Sequence, residues 1–383
     1  MALDSDTLQQ LLDTLSRFVT ERLRPLESQI ATDDRIPEAV VDEMKALGLF
    51  GLTIPIEYGG LGLNMQEEVA VARVFGRTSP AFRSAFGTNV GIGSQSLVID
   101  GTEAQKQYYL PKMATGEIVG SFCLSEPEAG SDAASVRTTA IKDGDEYVIN
   151  GTKRYITNAP WADLFTVFAR TDPSISGARG VSAFLIDRST DGVSLGQPYR
   201  KMGQQGAPVC DVIFDDVRVP AENLVGGKEN VGFITAMKVL DKGRLHISAI
   251  SVGVAERLIE DATRYAIERK QFNQPIADFQ LVQAMLADSQ TEMYAAACMV
   301  AETARRRDAG EAVAAVAASC KLFATEMVGR VADRAVQIFG GAGYIEDYGI
   351  ERFYRDVRLF RIYEGTSQIQ QTVIAKDLIK RFQ

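Results

Sequence analysis

The chain reads as an α+β multidomain protein in three consecutive parts: an N-terminal α-helical domain over residues 1–117, a middle β domain over 118–227, and a C-terminal helical bundle over 228–383. Three observations predict this order. Apolar residues recur every three to four positions up to about residue 117, which is the helical period. Short β-branched and aromatic runs, separated by Gly, Asp, Ser and Pro, then replace them. From Val231 the helical period returns in long, alanine-rich segments with short connections, the pattern of an antiparallel four-helix bundle.

In the first part, SDTLQQLLDTLSRFVTERLRPL places Leu8, Leu11, Leu12, Leu15, Phe18 and Val19 on one stripe and is expected to stop at Pro25. IPEAVVDEMKALGLFG opens with Pro37 in its first turn and closes at Gly48. GTEAQKQYYLPKM has the capping-box spacing Thr102 to Gln105 and is expected to break near Pro111. IPIEYGGLGLN is a glycine-rich connector. In the second part, EYVINGTKRYITNA, LFTVFART, VSAFLIDRS and CDVIFDDVRVP read as strands, with NGT at 150–152 as a hairpin-type turn. A small barrel or a sandwich is the economical arrangement. The third part offers helices through VGVAERLIEDATRYAIERK, through QLVQAMLADSQTEMYAAACMVAETARRRD as far as Gly310, and through EAVAAVAASCKLFATEMVGRVADRAVQIF as far as Gly340.

Composition narrows the chemistry. The 383 residues suit two or three domains, and 46% hydrophobic with 24% charged residues is ordinary globular usage. A net charge of −9 opposes a nucleic-acid partner, which needs a basic face. No apolar run approaches a membrane span, so no membrane partner is expected. The start, MALDSDTLQQ, carries acids where a targeting peptide carries Arg. A cytoplasmic protein is therefore expected, or a mitochondrial matrix protein numbered after processing. Cys123, Cys210, Cys298 and Cys320 lack CxxC spacing and read as free thiols. His246 is the only histidine, which excludes a His-containing zinc site and any Ser-His-Asp or Cys-His nucleophile system; no metal is expected. YGGLGLN and VGIGSQS fail as GxGxxG, and VGGKEN fails as a phosphate loop. An enzyme of this sequence must use carboxylates or a cofactor.

Five stretches are candidates for that role. In RIYEGTSQIQ, Glu364 stands directly before Gly365; Arg361 three residues earlier would give an ordinary helical ion pair of about 0.3 kcal/mol. SEPEAGSD, 125–132, is either an acidic surface turn or a cradle of amides and hydroxyls, with Ser125 and Ser131 facing a ligand. In RYITNA, Tyr155 and Thr157 share a strand face, an aromatic wall beside a hydroxyl. ERKQF, 268–272, is a basic helix end. QIFGGAGY has three glycines, more than a helix stop requires, which suits close approach to a ligand phosphate.

Taken together and in this order, FCLSEPEAGSD, GTKRYITNA, RYAIERKQF, QIFGGAGY and RIYEGTSQIQ resemble the acyl-CoA dehydrogenases, flavoenzymes of fatty-acid pathways, over essentially the whole chain. The resemblance implies a helical domain, a β-barrel and a four-helix bundle. It implies FAD, lined by Phe122, Leu124, Ser125, Gly130 and Ser131 and walled by Tyr155, Ile156 and Thr157, with Tyr155 standing where many members carry Trp. Arg269, Gln271, Phe272, Phe279 and Gln280 are implied to meet pyrophosphate and adenosine, partly across a subunit boundary, with Gln337, Gly340 and Gly341. Thr366 and Gln368 are implied as the last cofactor contacts. A shared site of this kind implies a homo-oligomer, in the family usually a tetramer built as a dimer of dimers.

The same resemblance implies an acyl-CoA substrate touched by Ser131, Asp241, Arg244, Tyr363 and Gly365. Glu364 is implied as the base that removes the α-proton while the β-hydrogen leaves as hydride to the flavin. The product is the trans-2-enoyl-CoA, and electrons pass to an electron-transfer flavoprotein. Enclosure should raise the carboxyl pKa toward its task. Gly365 is expected to be glycine so as not to crowd the thioester. A subgroup that includes the isovaleryl-type enzymes carries its base immediately before the arginine matching Arg244, which here is Gly243. Nitroalkane-oxidising relatives carry Asp as base. Alternatives are an oxidase-like enzyme, whose relatives are usually longer, or a non-β-oxidation relative acting on a branched or unusual acyl-CoA. A non-catalytic, nucleic-acid-binding relative is opposed by the acidic charge. SEPEAGSDAASVRT and ADLFTVFART resemble the very-long-chain branch, without that branch's C-terminal membrane-associated extension, and Gly87, Gly91 and Gly93 fall near the segment that closes the acyl tunnel, where they either lengthen the pocket or serve helix packing. Medium or longer acyl chains are therefore expected.

Overall fold

The computed structural model describes residues 3–383. Helix α1 (Ser5–Arg17) continues through a π-helical turn at Phe18–Leu23 and a 3₁₀ turn at Arg24–Leu26 into α2 (Glu27–Asp33). The helical path therefore passes Pro25 instead of stopping there. Pro25 lies in the first turn of the 3₁₀ segment, where its missing N–H is not needed, and buried Leu15, Val19, Leu23 and Ile30 carry the apolar stripe across it. Next come α3 (Glu38–Ala46), α4 (Met65–Gly76), α5 (Pro80–Thr88), α6 (Gln95–Asp100) and α7 (Glu103–Thr115). Thr102 and Gln105 form the expected reciprocal capping box, but α7 runs through Pro111 to Gly116. Leu110 and Met113 are buried on either side of the proline, and Gln107, whose carbonyl loses its helical donor, is exposed to water.

The middle part is one curled, barrel-like sheet of β1 (Gly120–Cys123), β2 (Thr139–Asp143), β3 (Glu146–Thr157), β4 (Leu164–Arg170), β5 (Val181–Asp187), β6 (Val193–Leu195) and β7 (Val209–Pro220). The strand order is β1-β4-β2-β3-β7-β6, with β5 also on β4. NGT at 150–152 is no turn: β3 runs straight through it, with a register shift against β7 at Gly151. The hairpin between β2 and β3 turns instead at Gly144-Asp145, where Gly144 has φ 62°. Strands β4 and β5 are buried on both faces. Phe165, Val167, Ala169, Phe184 and Ile186 fill the sheet interior, whereas Leu164, Phe168, Val181 and Leu185 pack toward the helices. Two buried faces explain why LFTVFA shows no polar alternation.

The last part contains α8 (Gly232–Glu268), a short hairpin of β8 (Lys270–Gln271) and β9 (Gln274–Pro275), α9 (Gln280–Asp308), α10 (Ala314–Phe339), α11 (Ile350–Val357) and α12 (Ser367–Lys380). Helices α8, α9 and α10 pack on one another and α12 packs on α10, giving the bundle. Helix α4 lies across α8 and α9, so a single apolar core runs from Leu15 to Phe360 and joins the first and last parts. No helix among the described residues is long and apolar enough to cross a membrane.

Candidate active site

Glu364 sits in the link between a 3₁₀ turn at Arg358–Arg361 and α12. Its backbone is left-handed, at φ 56°, and Gly365 follows at φ 85°. For a residue with a side chain that conformation costs about 1–2 kcal/mol, so the surroundings must impose it. They do so with bonds to two successive carbonyls. Lys321 Nζ, from α10, donates to the Gly365 carbonyl at 2.7 Å. Gln370 Nε2 donates to the carbonyls of Glu364 at 3.1 Å and Gly365 at 3.0 Å. Thr366 caps α12 by accepting from Ile369 N–H at 3.3 Å. Arg361 pairs with Glu326 at 3.2 Å, not with Glu364, so the helical ion pair is set aside. A Cβ on residue 365 would come within 2.6 Å of Gln370 Nε2. The glycine thus has a reason inside the loop itself.

Glu364 lines a narrow cleft whose walls include Arg83, Thr88, Thr157, Gln204 and Tyr363. Its Oε2 is sealed from solvent and has no hydrogen-bond partner. Burial raises its pKa above the ordinary carboxylate range, against the opposing pull of Arg83, Arg244 and Lys321. Burial likewise brings Lys321 down to about 8, with Glu364 opposing that shift. A Cβ on Gly243 would lie 2.6 Å from Glu364 Oε2. The two base positions considered from sequence therefore converge on one point, and the glycine on α8 leaves room for the glutamate. An enclosed carboxylate with a raised pKa and a free oxygen can take a proton from an adjacent carbon acid.

The sequence reading missed Arg83. It is buried on α5, and its Nε donates to His246 Nε2 at 2.8 Å. His246 Nδ1 lies 2.9 Å from Glu68, which also pairs with Lys242 at 3.1 Å. Burial, reinforced by Arg83, pushes His246 down to about 4; Lys242 and His246 hold Glu68 near 2 despite its burial. The imidazole is therefore neutral, donating to Glu68 and accepting from Arg83. The available signals were an arginine inside the apolar run SPAFRSAFG and the only histidine of the chain. Gly87 does not lengthen an acyl tunnel, because its Cβ would strike Arg83 Nε at 2.4 Å; a Cβ on Gly93 would meet the Gly120 carbonyl oxygen at 2.6 Å. The small residues house a guanidinium and pack against β1, the packing role that was the alternative to a longer pocket. Asp241 and Arg244, expected at the substrate, pair with each other at 2.6 Å; the buried Arg244 Nε has no partner.

The implied cofactor residues fall into an inner and an outer group. Phe122 and Leu124 are buried, with Phe122 against Phe168 at a 4.7 Å centroid distance. A bulge between Lys153 and Ile156 breaks the strand alternation. Tyr155, at φ 59°, is left 64% exposed beside Tyr199, Ile156 is buried, and Thr157 lines the cleft. The regular strand expected to set Tyr155 and Thr157 on one face is interrupted by this bulge, and only Thr157 lines the cleft. SEPEAGSD is only partly an acidic surface turn. Gly130 and Ser131 are exposed and Ser125 is half-buried, but Glu126 is buried. Its carboxylate accepts from fully buried Lys153 at 2.7 Å and from the Arg137 and Thr138 amides at 2.6 and 2.9 Å. Removing either partner would strand a buried charge, a cost of about 3–5 kcal/mol, so this pair fixes the turn that presents the serines.

The outer group lies on the surface. Arg269, Gln271 and Gln280 are exposed, and Phe272 is 88% exposed with its ring against half-buried Phe279. Gln337, Gly340, Gly341 and Gln368 are also exposed or half-buried, and no described atom lies near a Cβ built on either glycine. The close approach among these glycines is at Gly343, against the Val336 carbonyl oxygen. Exposed aromatic faces at Tyr155 and Phe272 and the hydroxyl at Thr157 are groups that can stack on and hydrogen-bond to a flat cofactor such as FAD. Among the described residues, no group of three metal-ligating side chains occurs.

Family models for the N-terminal, middle and C-terminal domains of acyl-CoA dehydrogenases match residues 5–117, 121–217 and 230–379. The caffeyl-CoA reductase-Etf complex subunit CarC of Acetobacterium woodii is 41% identical over 97% of this chain and 98% of its own length. Butyryl-CoA dehydrogenase from Megasphaera elsdenii superposes with a TM-score of 0.94 at 34% identity, covering 99% of this chain and 100% of that one. PigA, solved with FAD and proline, superposes at a TM-score of 0.94 with 27% identity, covering 100% of both chains. With all three domain models matched in order and full-length relatives above 30% identity, the chain belongs to the acyl-CoA dehydrogenase family.

Proposed function

We propose that the protein is an FAD-dependent acyl-CoA dehydrogenase in which Glu364 removes the α-proton of the thioester to give the trans-2-enoyl-CoA. The observation that carries this reading is the Glu364 carboxylate itself: sealed at Oε2, unpartnered, raised in pKa and held in a strained backbone by Lys321 and Gln370. FAD, when bound, supplies the two-electron acceptor for the β-hydrogen. Glu364 takes the α-proton on its carboxylate, which lines the cleft. The developing enolate oxygen needs donors, and the Glu364 backbone N–H makes no hydrogen bond to any described residue, which leaves it for the thioester. Tyr363 and Thr157 line the same cleft and confine the acyl group beside the carboxylate.

Electrons pass in this reading to an electron-transfer flavoprotein, supported by the Etf-complex relative. The working assembly is a homotetramer, a dimer of dimers, supported by the exposure of Arg269, Gln271 and Phe272 at a distance along the chain from the cleft residues. The caffeyl-CoA reductase relative favours a second direction for the same chemistry, in which protonated Glu364 delivers its proton to the α-carbon of an enoyl-CoA. Anaerobic mixing of the holoenzyme with saturated acyl-CoAs, and of the reduced holoenzyme with enoyl-CoAs, separates the two directions by flavin absorbance. Glu364→Gln retains FAD and thioester binding and loses nearly all flavin reduction. Substantial residual reduction would assign the base to another residue.

A further inference from the structure

Three cations act on the Glu364 carboxylate: Arg83, Arg244 and Lys321. The two arginines stay charged at every working pH, whereas a buried lysine can lose its proton. Lys321 also differs from them in place. It is 0% exposed on α10, and its Nζ donates at 2.7 Å to the carbonyl of Gly365, the residue directly after the base. The ammonium makes no other hydrogen bond to a described residue. The charged groups that face it are Glu364 from the loop, Arg244 from α8 and Glu326 from its own helix. Glu326 is engaged elsewhere: one oxygen accepts from Ser367 Oγ at 2.6 Å, and the other meets Arg361 at 3.2 Å. Helix α10 therefore grips the base loop at Arg361, Gly365 and Ser367, on both sides of Glu364. Of these three grips, the one at Gly365 alone presents a cation of α10 to the carboxylate.

We infer that Lys321 is a positioning residue whose positive charge, beyond its hydrogen bond, arms the base: the ammonium pins the residue after Glu364 and favours the ionised carboxylate, so losing that charge disarms the site. The inference rests on the proposed dehydrogenase reading and concerns the regulation of its base. Glu364 and Gly365 are both left-handed, at φ 56° and 85°, and such a backbone persists only where its surroundings hold it. Gln370 shares the Gly365 carbonyl at 3.0 Å, but its amide is neutral and its bond correspondingly weaker than one from an ammonium. Burial brings Lys321 down to about 8, so the ammonium is present below that pH and is lost as pH rises through it. Glu364 runs the other way, gaining its charge as pH rises through a pKa above the ordinary carboxylate range. The site is therefore armed in a window, after Glu364 ionises and before Lys321 gives up its proton. An arginine at 321 would leave that window without an upper edge.

Two readouts test the charge. The first is the pH profile of flavin reduction in holoenzyme mixed anaerobically with a saturating acyl-CoA. Wild type should rise through the Glu364 limb and fall through a second limb near pH 8. Lys321→Met should lose the alkaline limb, move the acid limb upward by about one pH unit or more, and slow reduction on the order of 10-fold at neutral pH with KM nearly unchanged. Lys321→Arg should return the acid limb to its wild-type position and show no alkaline limb. A tether without an electrical role would instead lower the rate at every pH and leave the acid limb where it was. The second readout, urea unfolding at about pH 7.5, needs no turnover: Lys321→Met should lower the midpoint more in the wild type than in the Glu364→Gln background. Should Lys321→Met not fold, Lys321→Arg still decides, because an alkaline limb that survives the arginine belongs to another group and overturns the inference. An unmoved acid limb, or equal midpoint losses in both backgrounds, would overturn it too, with the dehydrogenase reading intact. Failure of every thioester to reduce the wild-type flavin would refute that reading, while the unfolding comparison would still report whether the charge of Lys321 acts on Glu364.

Discussion

Gly365→Ala tests the structural claim on which the placement of Glu364 depends. Residue 365 has φ 85°, and a Cβ there would lie 2.6 Å from Gln370 Nε2. The left-handed backbone costs alanine about 1 kcal/mol relative to glycine. The clash displaces an amide that donates to two carbonyls, at 3.1 and 3.0 Å. Losing two such bonds adds about 1–3 kcal/mol, for a total of about 2–4 kcal/mol. Lys321 still holds the Gly365 carbonyl, so the variant should fold with a lowered urea midpoint, while the carboxylate shifts and flavin reduction slows sharply. The decisive assay is a double-mutant cycle with Gln370→Ala. Once the amide is gone, alanine at 365 should cost only the backbone contribution of about 1 kcal/mol. If Gly365→Ala costs as much in the Gln370→Ala background as it does in the wild type, the contact is not the cause and the reasoning fails.

Four further outcomes are expected. Arg269→Ala should lower the FAD content of purified protein, and unchanged flavin stoichiometry would remove Arg269 from the proposed cofactor contacts. The rate of flavin reduction by an acyl-CoA should rise with pH through a limb above the ordinary carboxylate range, because only ionised Glu364 accepts the proton. Arg83→Met removes a cation that favours the carboxylate and should move that limb to higher pH; a downward move contradicts the assigned electrostatics. His246→Gln tests linkage to stability. The folded-state pKa of His246 is lowered from 6.5 to about 4, so the unfolded chain takes the proton first and stability is lost as pH falls through that window. Wild type should lose up to about 3 kcal/mol relative to His246→Gln between pH 6.5 and 4, read from urea unfolding, and parallel profiles would show that the histidine is not buried neutral.

The order of helices, sheet and bundle was legible because each part announces its own period, and capping at Thr102 and the stop at Gly340 are local signals. The errors also have local causes. Pro25 and Pro111 were read as breaks because a missing N–H is visible in sequence, whereas the buried neighbours that hold the helix together are not. NGT lost to the Gly144-Asp145 turn because hairpin register depends on the partner strand. The candidate site divides along the same line. Glu364 stood out only when RIYEGTSQIQ was taken together with four other stretches, although its backbone needs are met largely by neighbours in sequence, Gly365, Thr366 and Gln370. Arg83, His246 and Glu68 come from α5, α8 and α4, and nothing in any one segment marks them as connected. A carboxylate base suits any acyl thioester, so it can be encoded in a short shared motif. What the cleft admits depends on charges brought together by packing, and here the glycines that seemed to open the pocket are the residues that let an arginine into it. The proposed base was therefore readable from the motif, while the buried arginine that shares its cleft became visible only in the fold.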